Sequence, residues 1–195
     1  MALSHWRDVW RRFTGRGAYP HELSSLLLLP LRNLLLSPTE LVRRLHLKPG
    51  DRVLEVGPGP GFFSIAVSQS VPDGGLVLFD LQREMLSKAR ARLSRARRTN
   101  TSFAQGSGEV LPFRDAMFDV AFLVTVLGEV PQPPACVAEL ARVLRPGGLL
   151  SVTEQRGDPD ALSADQVGRL AADVGLRPLE VHSSWSGFTA NYLAP

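Results

Sequence analysis

The chain is poor in cysteine, has no long apolar run and carries no large excess of charge of one sign. Its single cysteine, Cys136, cannot close a disulfide within the chain or build a cysteine-rich metal site, and it fits a reducing compartment. No His/Asp/Glu cluster has metal-ligand spacing. The longest apolar run, Leu26 to Leu36, is interrupted by Pro30, Arg32 and Asn33, and is too short and too broken to cross a bilayer. No leader peptide is recognised, so the expectation is a cytoplasmic protein, peripheral to a membrane at most. A net charge of +3 over 195 residues is modest, and it reflects arginine clusters that face either an anionic substrate or solvent. A hydrophobic content of 44% with 21% charged residues suits one globular domain with a substantial core.

Two nucleotide-binding motifs are also missing. A G-x-G-x-x-G dinucleotide loop would need a glycine at position 62, which is Phe62, and no Gly-Lys-Ser/Thr of a phosphate loop follows. What stands there is RVLEVGPGPGFFS, Arg52 to Ser64. Val53 to Val56 has the β-branched content and length of a buried strand. Gly57, Gly59 and Gly61 follow, and from Phe62 to about Gln69 the pattern is helical. Strand, glycine turn and helix open a nucleotide-binding βαβ unit. Leu76 to Phe79 reads as a second buried strand ending in Asp80, 19 residues past Gly61. An acid so placed accepts hydrogen bonds from ribose hydroxyls; the alternative is that it caps the next helix.

The acid-glycine pattern, Glu55 with Gly57, Gly59 and Gly61, resembles motif I of the class I S-adenosylmethionine-dependent methyltransferases. Further matches follow in order. Gly106 to Phe113 resembles the family's G-D-A-E-x-L-P-F segment, with Ser107 in place of its adenine-binding aspartate. Phe118 to Val124 resembles its F-D-x-V strand. Leu127-Gly128-Glu129-Val130 stands where many members have L-H-H-V, so that histidine pair is absent. Glu139 to Gly148 resembles the E-x-x-R-V-L-K-P-G-G helix and turn, read as a helix stopped by Pro146 before a strand from Leu149 to Thr153 that Glu154 ends. The matches run from Lys48 to Glu154 and resemble in particular the small-molecule branch with ubiquinone and menaquinone-biosynthesis methyltransferases.

The resemblance implies an α/β Rossmann-like fold: a seven-stranded, mainly parallel sheet with an antiparallel C-terminal strand and helices on both faces. It implies S-adenosyl-L-methionine as cofactor, contacted by Glu55, Gly57, Gly59, Gly61, Asp80, Leu81, Ser107, Gly108, Glu109 and Val124. The activity it implies is methyl transfer to a small molecule, an apolar one among the options. The alternatives are an RNA or protein methyltransferase, suggested by the arginines, and a non-catalytic cofactor-binding scaffold, suggested by Ser107 and the missing histidines. There is no D/N-P-P-Y/F after the fourth strand, which speaks against methylation of an adenine or glutamine amino group. There is no Pro-Cys for cytosine methylation, and one thiol is too few for an arsenic methyltransferase.

The remaining segments fill out the plan. Residues 1–16 read as an amphipathic helix with Leu3, Trp6, Trp10 and Phe13 on one face, either a lid or a membrane-surface element. With the leucine-rich stretch after it, residues 1–36 form an expected lid over a methyltransferase domain of residues 37–195. Ser37-Pro38-Thr39-Glu40 starts a helix reaching about Leu45. Arg83 to Arg97 is a helix with a basic outer face; Thr101 to Gln105 is a strand. Leu162 to Val174 is a helix, and Pro178 to Ser184 and Gly187 to Leu193 are closing strands. Tyr19, His21, Glu22 and Glu129 are the candidate bases if the acceptor needs one. His46 and His182 read as structural.

Overall fold

The computed structural model describes residues 36–195. Helix α1 spans Pro38–Arg44, strand β1 Arg52–Val56, α2 Ser64–Ser70, β2 Gly75–Asp80, α3 Arg83–Arg95, β3 Thr101–Gln105 and β4 Phe118–Val124. A 3₁₀ turn follows at Leu127–Glu129, then α4 Pro133–Val143, β5 Leu144–Gln155, α5 Ala164–Asp173, β6 Arg177–Ser184 and β7 Gly187–Leu193. The seven strands form one sheet in the order β3-β2-β1-β4-β5-β7-β6. β1 to β5 are parallel to their neighbours, and β7 runs antiparallel to both β5 and β6. This is the expected doubly wound sheet. Residues 1–35 of the proposed lid, with Tyr19, His21 and Glu22, lie outside the described part, and its last residue, Leu36, is buried in the core.

Strand alternation sorts the core onto two faces. Val53, Leu76, Leu78, Val120, Phe122 and Leu149 pack with Leu41 of α1, Val67 of α2 and Ala89 and Leu93 of α3. Leu54, Val56, Ala121, Leu123, Leu150 and Val152 pack with Val137 and Leu140 of α4 and Val167 and Ala171 of α5. Each fully buried leucine contributes about 1.5–3 kcal/mol, so this two-sided burial is what holds the strand ends in place. The cationic residues Lys88, Arg90, Arg95 and Arg97 stay on the exposed side of α3 and its end. Arg90 lies over the Phe103 ring, 4.5 Å from its centroid.

Local signals set the helix starts. Ser37 accepts from the Glu40 amide at 3.1 Å, with Pro38 at the first helical position. Ser163 and Gln166 form a reciprocal capping box at α5. One expectation is corrected. Pro146 does not stop a helix: α4 ends at Val143, and β5 has already begun at Leu144. The pairing with β4 takes over, because Leu144 is in register with Phe118 while Leu149 is in register with Val120. The extra residues form an irregularity around Gly147, at φ +72°, inside the strand.

α1 is tied to the far side of the sheet by polar contacts. Arg44 Nη1 donates to Thr189 Oγ1 at 2.8 Å, and Asn191 donates to the Arg44 carbonyl at 2.7 Å. His46 meets Glu180 at 2.6 Å, and His182 meets the same carboxylate at 3.3 Å. With both histidines beside it, Glu180 is held down at about 2. His46 takes part in this tie, whereas His182 meets Glu180 within β6. Among the described residues no helix is long and apolar enough to cross a membrane.

Candidate functional site

The strand order reverses between β1 and β4, and a crevice opens at the carboxyl ends of the strands there. It is a cavity of about 430 Å³, within the range of small-molecule sites. It runs from the ends of β2 and β3, across the glycine loop after β1, to the ends of β4 and β5. Of the residues singled out in the sequence, Glu55, Gly57, Gly59, Asp80, Leu81, Ser107, Gly108, Val124 and Glu129 line it. Gly61 and Glu109 lie outside the lining.

The glycine loop has two distinct steric roles. Gly57 sits at φ +69°, and a Cβ there would come within 2.4 Å of Val126. The loop is thus packed against the segment that leaves β4. A Cβ on Gly61 would come within 3.2 Å of Ala89, so this glycine lets α3 approach the loop. Gly106 lies under the Phe79 ring, 2.8 Å from where its Cβ would be. Thr125 also departs from ordinary backbone, at φ +55°. A β-branched residue in that region is strained. Its amide donates to the Thr153 carbonyl at 2.8 Å, which extends the β4–β5 pairing while the chain turns Val126 onto the loop.

Two buried acids, Glu55 and Asp80, lie near each other at this centre. Glu55 is 3% exposed and accepts from Ser64 Oγ at 2.5 Å. Burial raises its pKa to about 8, the Ser64 bond opposes this, and the nearby Asp80 charge adds to it. Glu55 is therefore mostly protonated at neutral pH. Asp80 is pushed up to about 6 by burial, against the amides of Gln82 and Gly59 that donate to it. The Gln82 bond is 2.8 Å. Asp80 thus secures the residue that caps α3 and the glycine loop together. Two carboxylate oxygens offer about four acceptor sites, so these bonds leave capacity for hydroxyls of a ligand.

At the β3 side, Ser107 Oγ donates to Glu109 Oε2 at 3.0 Å and accepts from the Glu109 amide at 3.3 Å. Cys136 is fully buried and its thiol is pushed up to about 12 by burial. It stays a thiol and is no nucleophile.

The other end was not read from the sequence. Gln155, Gly157, Asp158, Pro159 and Asp160 line the cavity where β5 ends. Their position depends on Gly128: a Cβ there would lie 1.8 Å from the Asp160 carbonyl oxygen. The loop therefore occupies the space that a side chain at 128 would need. Glu154, behind it, is 2% exposed. Burial and the Asp158 and Glu129 charges raise it to about 8, against one amide bond from Gly128. Only its place at a carboxyl strand end signalled any of this.

S-adenosylmethionine fits these residues. Its hydroxyls match the free capacity of Asp80. Its positive charge meets a lining that, among the described residues, holds Asp80, Glu129, Asp158 and Asp160 beside the neutral Glu55, and no lysine, arginine or histidine. The glycines let it approach the main chain closely.

A family model described as a methyltransferase domain matches residues 53–148. The ubiquinone/menaquinone biosynthesis C-methyltransferase of Shewanella oneidensis is 37% identical over 109 residues, 55% of this chain and 43% of that protein. The arsenite methyltransferase of Halobacterium salinarum is 30% identical over 158 residues, 75% of this chain and 39% of that protein. The chain therefore spans less than half the length of these relatives. The crystal structure of an S-adenosylmethionine-dependent methyltransferase from Aquifex aeolicus covers 91% of this chain and all of that one. Its TM-score is 0.85 at 24% identity, a likeness of fold.

Proposed function

The domain belongs to the class I S-adenosylmethionine-dependent methyltransferases, and from that premise we propose that the chain methylates a small molecule bound at the β4–β5 end of its cavity. The observation that carries this is the length of the cavity. The motif residues occupy its β1–β3 end, and it continues past Val126 to Asp158 and Asp160. A second reactant has a place there. The relatives named for a quinone-pathway C-methyltransferase and for arsenite support a small acceptor.

Asp80 accepts from the ribose hydroxyls, the glycines at 57 and 59 admit the ligand to the backbone, and Ser107, Gly108 and Leu81 border the base. Glu55, neutral and bonded to Ser64, underpins the loop. The cofactor supplies an activated methyl on a sulfonium, with a neutral leaving group. The chain's own work is then to hold two reactants in line and exclude water. Glu129, which lines the cavity, is the candidate base among the described residues. Tyr19 and His21 belong to the proposed lid, residues 1–36, and a cytoplasmic location is part of the same proposal. A chain starting at Ser37 is expected to bind cofactor and lose turnover; full activity in it would remove the lid.

Calorimetric titration tests the core of the proposal. S-adenosylmethionine and S-adenosylhomocysteine should bind and NAD should not; comparable NAD binding would overturn it. Labelled cofactor offered to small-molecule, RNA and protein fractions then separates the acceptor classes. Binding with no turnover in any fraction would favour the scaffold reading, which Ser107 and the missing histidine pair motivate.

A further inference from the structure

At the β3 end the cavity wall holds a hydroxyl whose hydrogen-bonding sense is already fixed. A serine hydroxyl has one hydrogen to give and two lone pairs. The hydrogen of Ser107 goes to Glu109 Oε2 at 3.0 Å, and one lone pair takes the Glu109 amide at 3.3 Å. The backbone closes the same turn, with the Val110 amide donating to the Ser107 carbonyl at 3.1 Å. Gly108, inside the turn, packs it against buried Cys136, whose sulfur lies 3.3 Å from where a Cβ would be. One lone pair remains, on a residue that lines the cavity. Ser107 is therefore left as an acceptor.

Glu109 produces this state from behind the wall, since it is not part of the cavity lining. Its Oε2 holds the serine hydrogen, and its Oε1 is buried with no hydrogen-bond partner. A hydroxyl that donates to a carboxylate also becomes a better acceptor, because the first bond polarises the second.

We infer that Glu109 is a positioning residue for the cofactor: by holding the Ser107 hydrogen it makes the site select a purine with an amino group at its edge over one with a carbonyl there. The inference rests on the reading of the cavity as an S-adenosylmethionine site. In that reading the base lies past the ribose held by Asp80, against Phe79, Leu81 and Met85, with Ser107 at its edge. An amino group donates to the remaining lone pair. A carbonyl oxygen sets lone pair against lone pair, and Glu109 keeps the hydroxyl from turning to meet it. A carboxylate that does not touch the ligand thus decides which base is accepted.

The test is calorimetric titration of the full chain with S-adenosylhomocysteine and with its deaminated analogue, S-inosylhomocysteine. The wild-type chain should prefer the amino form at least roughly tenfold. Glu109→Met keeps the length of the side chain and removes both oxygens, so the hydroxyl is free to turn and donate. The analogue should then gain affinity, and the preference should fall several-fold. Ser107→Ala should lower the preference by a similar factor. Adding Glu109→Met to Ser107→Ala should change nothing further, because Glu109 acts through the hydroxyl. Deamination also turns a ring nitrogen into a donor, a change common to all the chains, so the shift in the ratio is the readout. Denaturation checks that each variant is folded, and Glu109→Ala repeats the test if methionine is not accommodated. A ratio unchanged by the Glu109 substitution, or a Glu109 effect that persists without the serine, would overturn the inference alone. Failure of S-adenosylhomocysteine to bind the wild-type chain would overturn the methyltransferase reading, and this inference with it.

Discussion

The two ends of the cavity are built on different principles. The β1–β3 end is made by local sequence: a strand, glycines whose missing side chains are filled by neighbours, and an acid at the next strand end. Its acids are well bonded, Asp80 to two amides and Glu55 to Ser64. The β4–β5 end is made by a long-range contact, a loop resting on Gly128, and its buried acid Glu154 has a single amide partner. One end is organised before any ligand arrives. The other depends on how the 157–160 loop settles on Gly128. A shared cofactor with a variable acceptor produces this difference: the first end can be constant while the second follows the substrate.

The largest effect is expected where the ends meet. Gly57→Ala places a methyl 2.4 Å from Val126 in a backbone region that disfavours side chains. The strain and overpacking together should cost roughly 2–5 kcal/mol of stability, read by chemical denaturation, with cofactor binding lost. A variant as stable as wild type would mean the loop and the β4 exit are not packed as a unit.

Next is Asp80→Ala, which strikes the first end alone. Losing charge-assisted bonds to two hydroxyls should cost on the order of 2–4 kcal/mol, or roughly 30- to 1000-fold in S-adenosylhomocysteine affinity. The pH dependence has a definite sign. Carboxylate accepts from hydroxyls better than carboxylic acid does, so wild-type affinity should fall as pH drops through about 6. Unchanged affinity in the variant would leave Asp80 as a brace for the glycine loop and nothing more.

The same contrast explains what was legible. Apart from Glu55 and Asp119, Val53 to Val56, Leu76 to Phe79 and Phe118 to Val124 are apolar on both faces, so their strands could be read almost to the residue. The glycine loop and Asp80 announced themselves by spacing. Gly61 shows the limit of such a motif: spacing cannot separate a glycine that admits a ligand from one that admits Ala89 of a helix. The start of β5 was misjudged because pairing with Phe118, 26 positions before Leu144, decides it rather than the proline. The acid-lined end was invisible because nothing local in Gln155 to Asp160 says that it will rest on Gly128.

Glu154→Gln should alter stability more gently and only over part of the pH range. A carboxyl whose pKa is raised to about 8 in the fold binds its proton more tightly there than in the unfolded chain. The stability this gives is fully present below the ordinary carboxyl value near 4.5 and is lost as pH rises through about 8. The amide cannot ionise, so the variant should show a flatter profile. The gap between the two proteins should grow by on the order of 2–4 kcal/mol across that window, followed by denaturation at several pH values. Parallel profiles would show that Glu154 ionises in the fold as readily as in the unfolded chain.

The smallest effect belongs to Ser107, and it sharpens the account of the first end. The serine does not simply substitute for the family's aspartate at the base. Its hydroxyl donates to Glu109 Oε2 and accepts from the Glu109 amide, while Glu109 Oε1 is buried without a partner. Ser107→Asp would keep the acceptor for the amide but lose the donor and set a second carboxylate against Glu109. Any gain from a charged acceptor toward the adenine amino group is therefore opposed by like-charge repulsion. Ser107→Asn keeps an acceptor and a donor without new charge. Asn should hold or slightly improve S-adenosylhomocysteine affinity, whereas Asp should gain little at low salt and more at high salt, where repulsion between partly exposed charges is screened. Ser107→Ala should cost about 1 kcal/mol, near fivefold in affinity. If Asp tightens binding strongly at every salt concentration, Glu109 does not oppose it, and the serine is a plain loss of the family's contact.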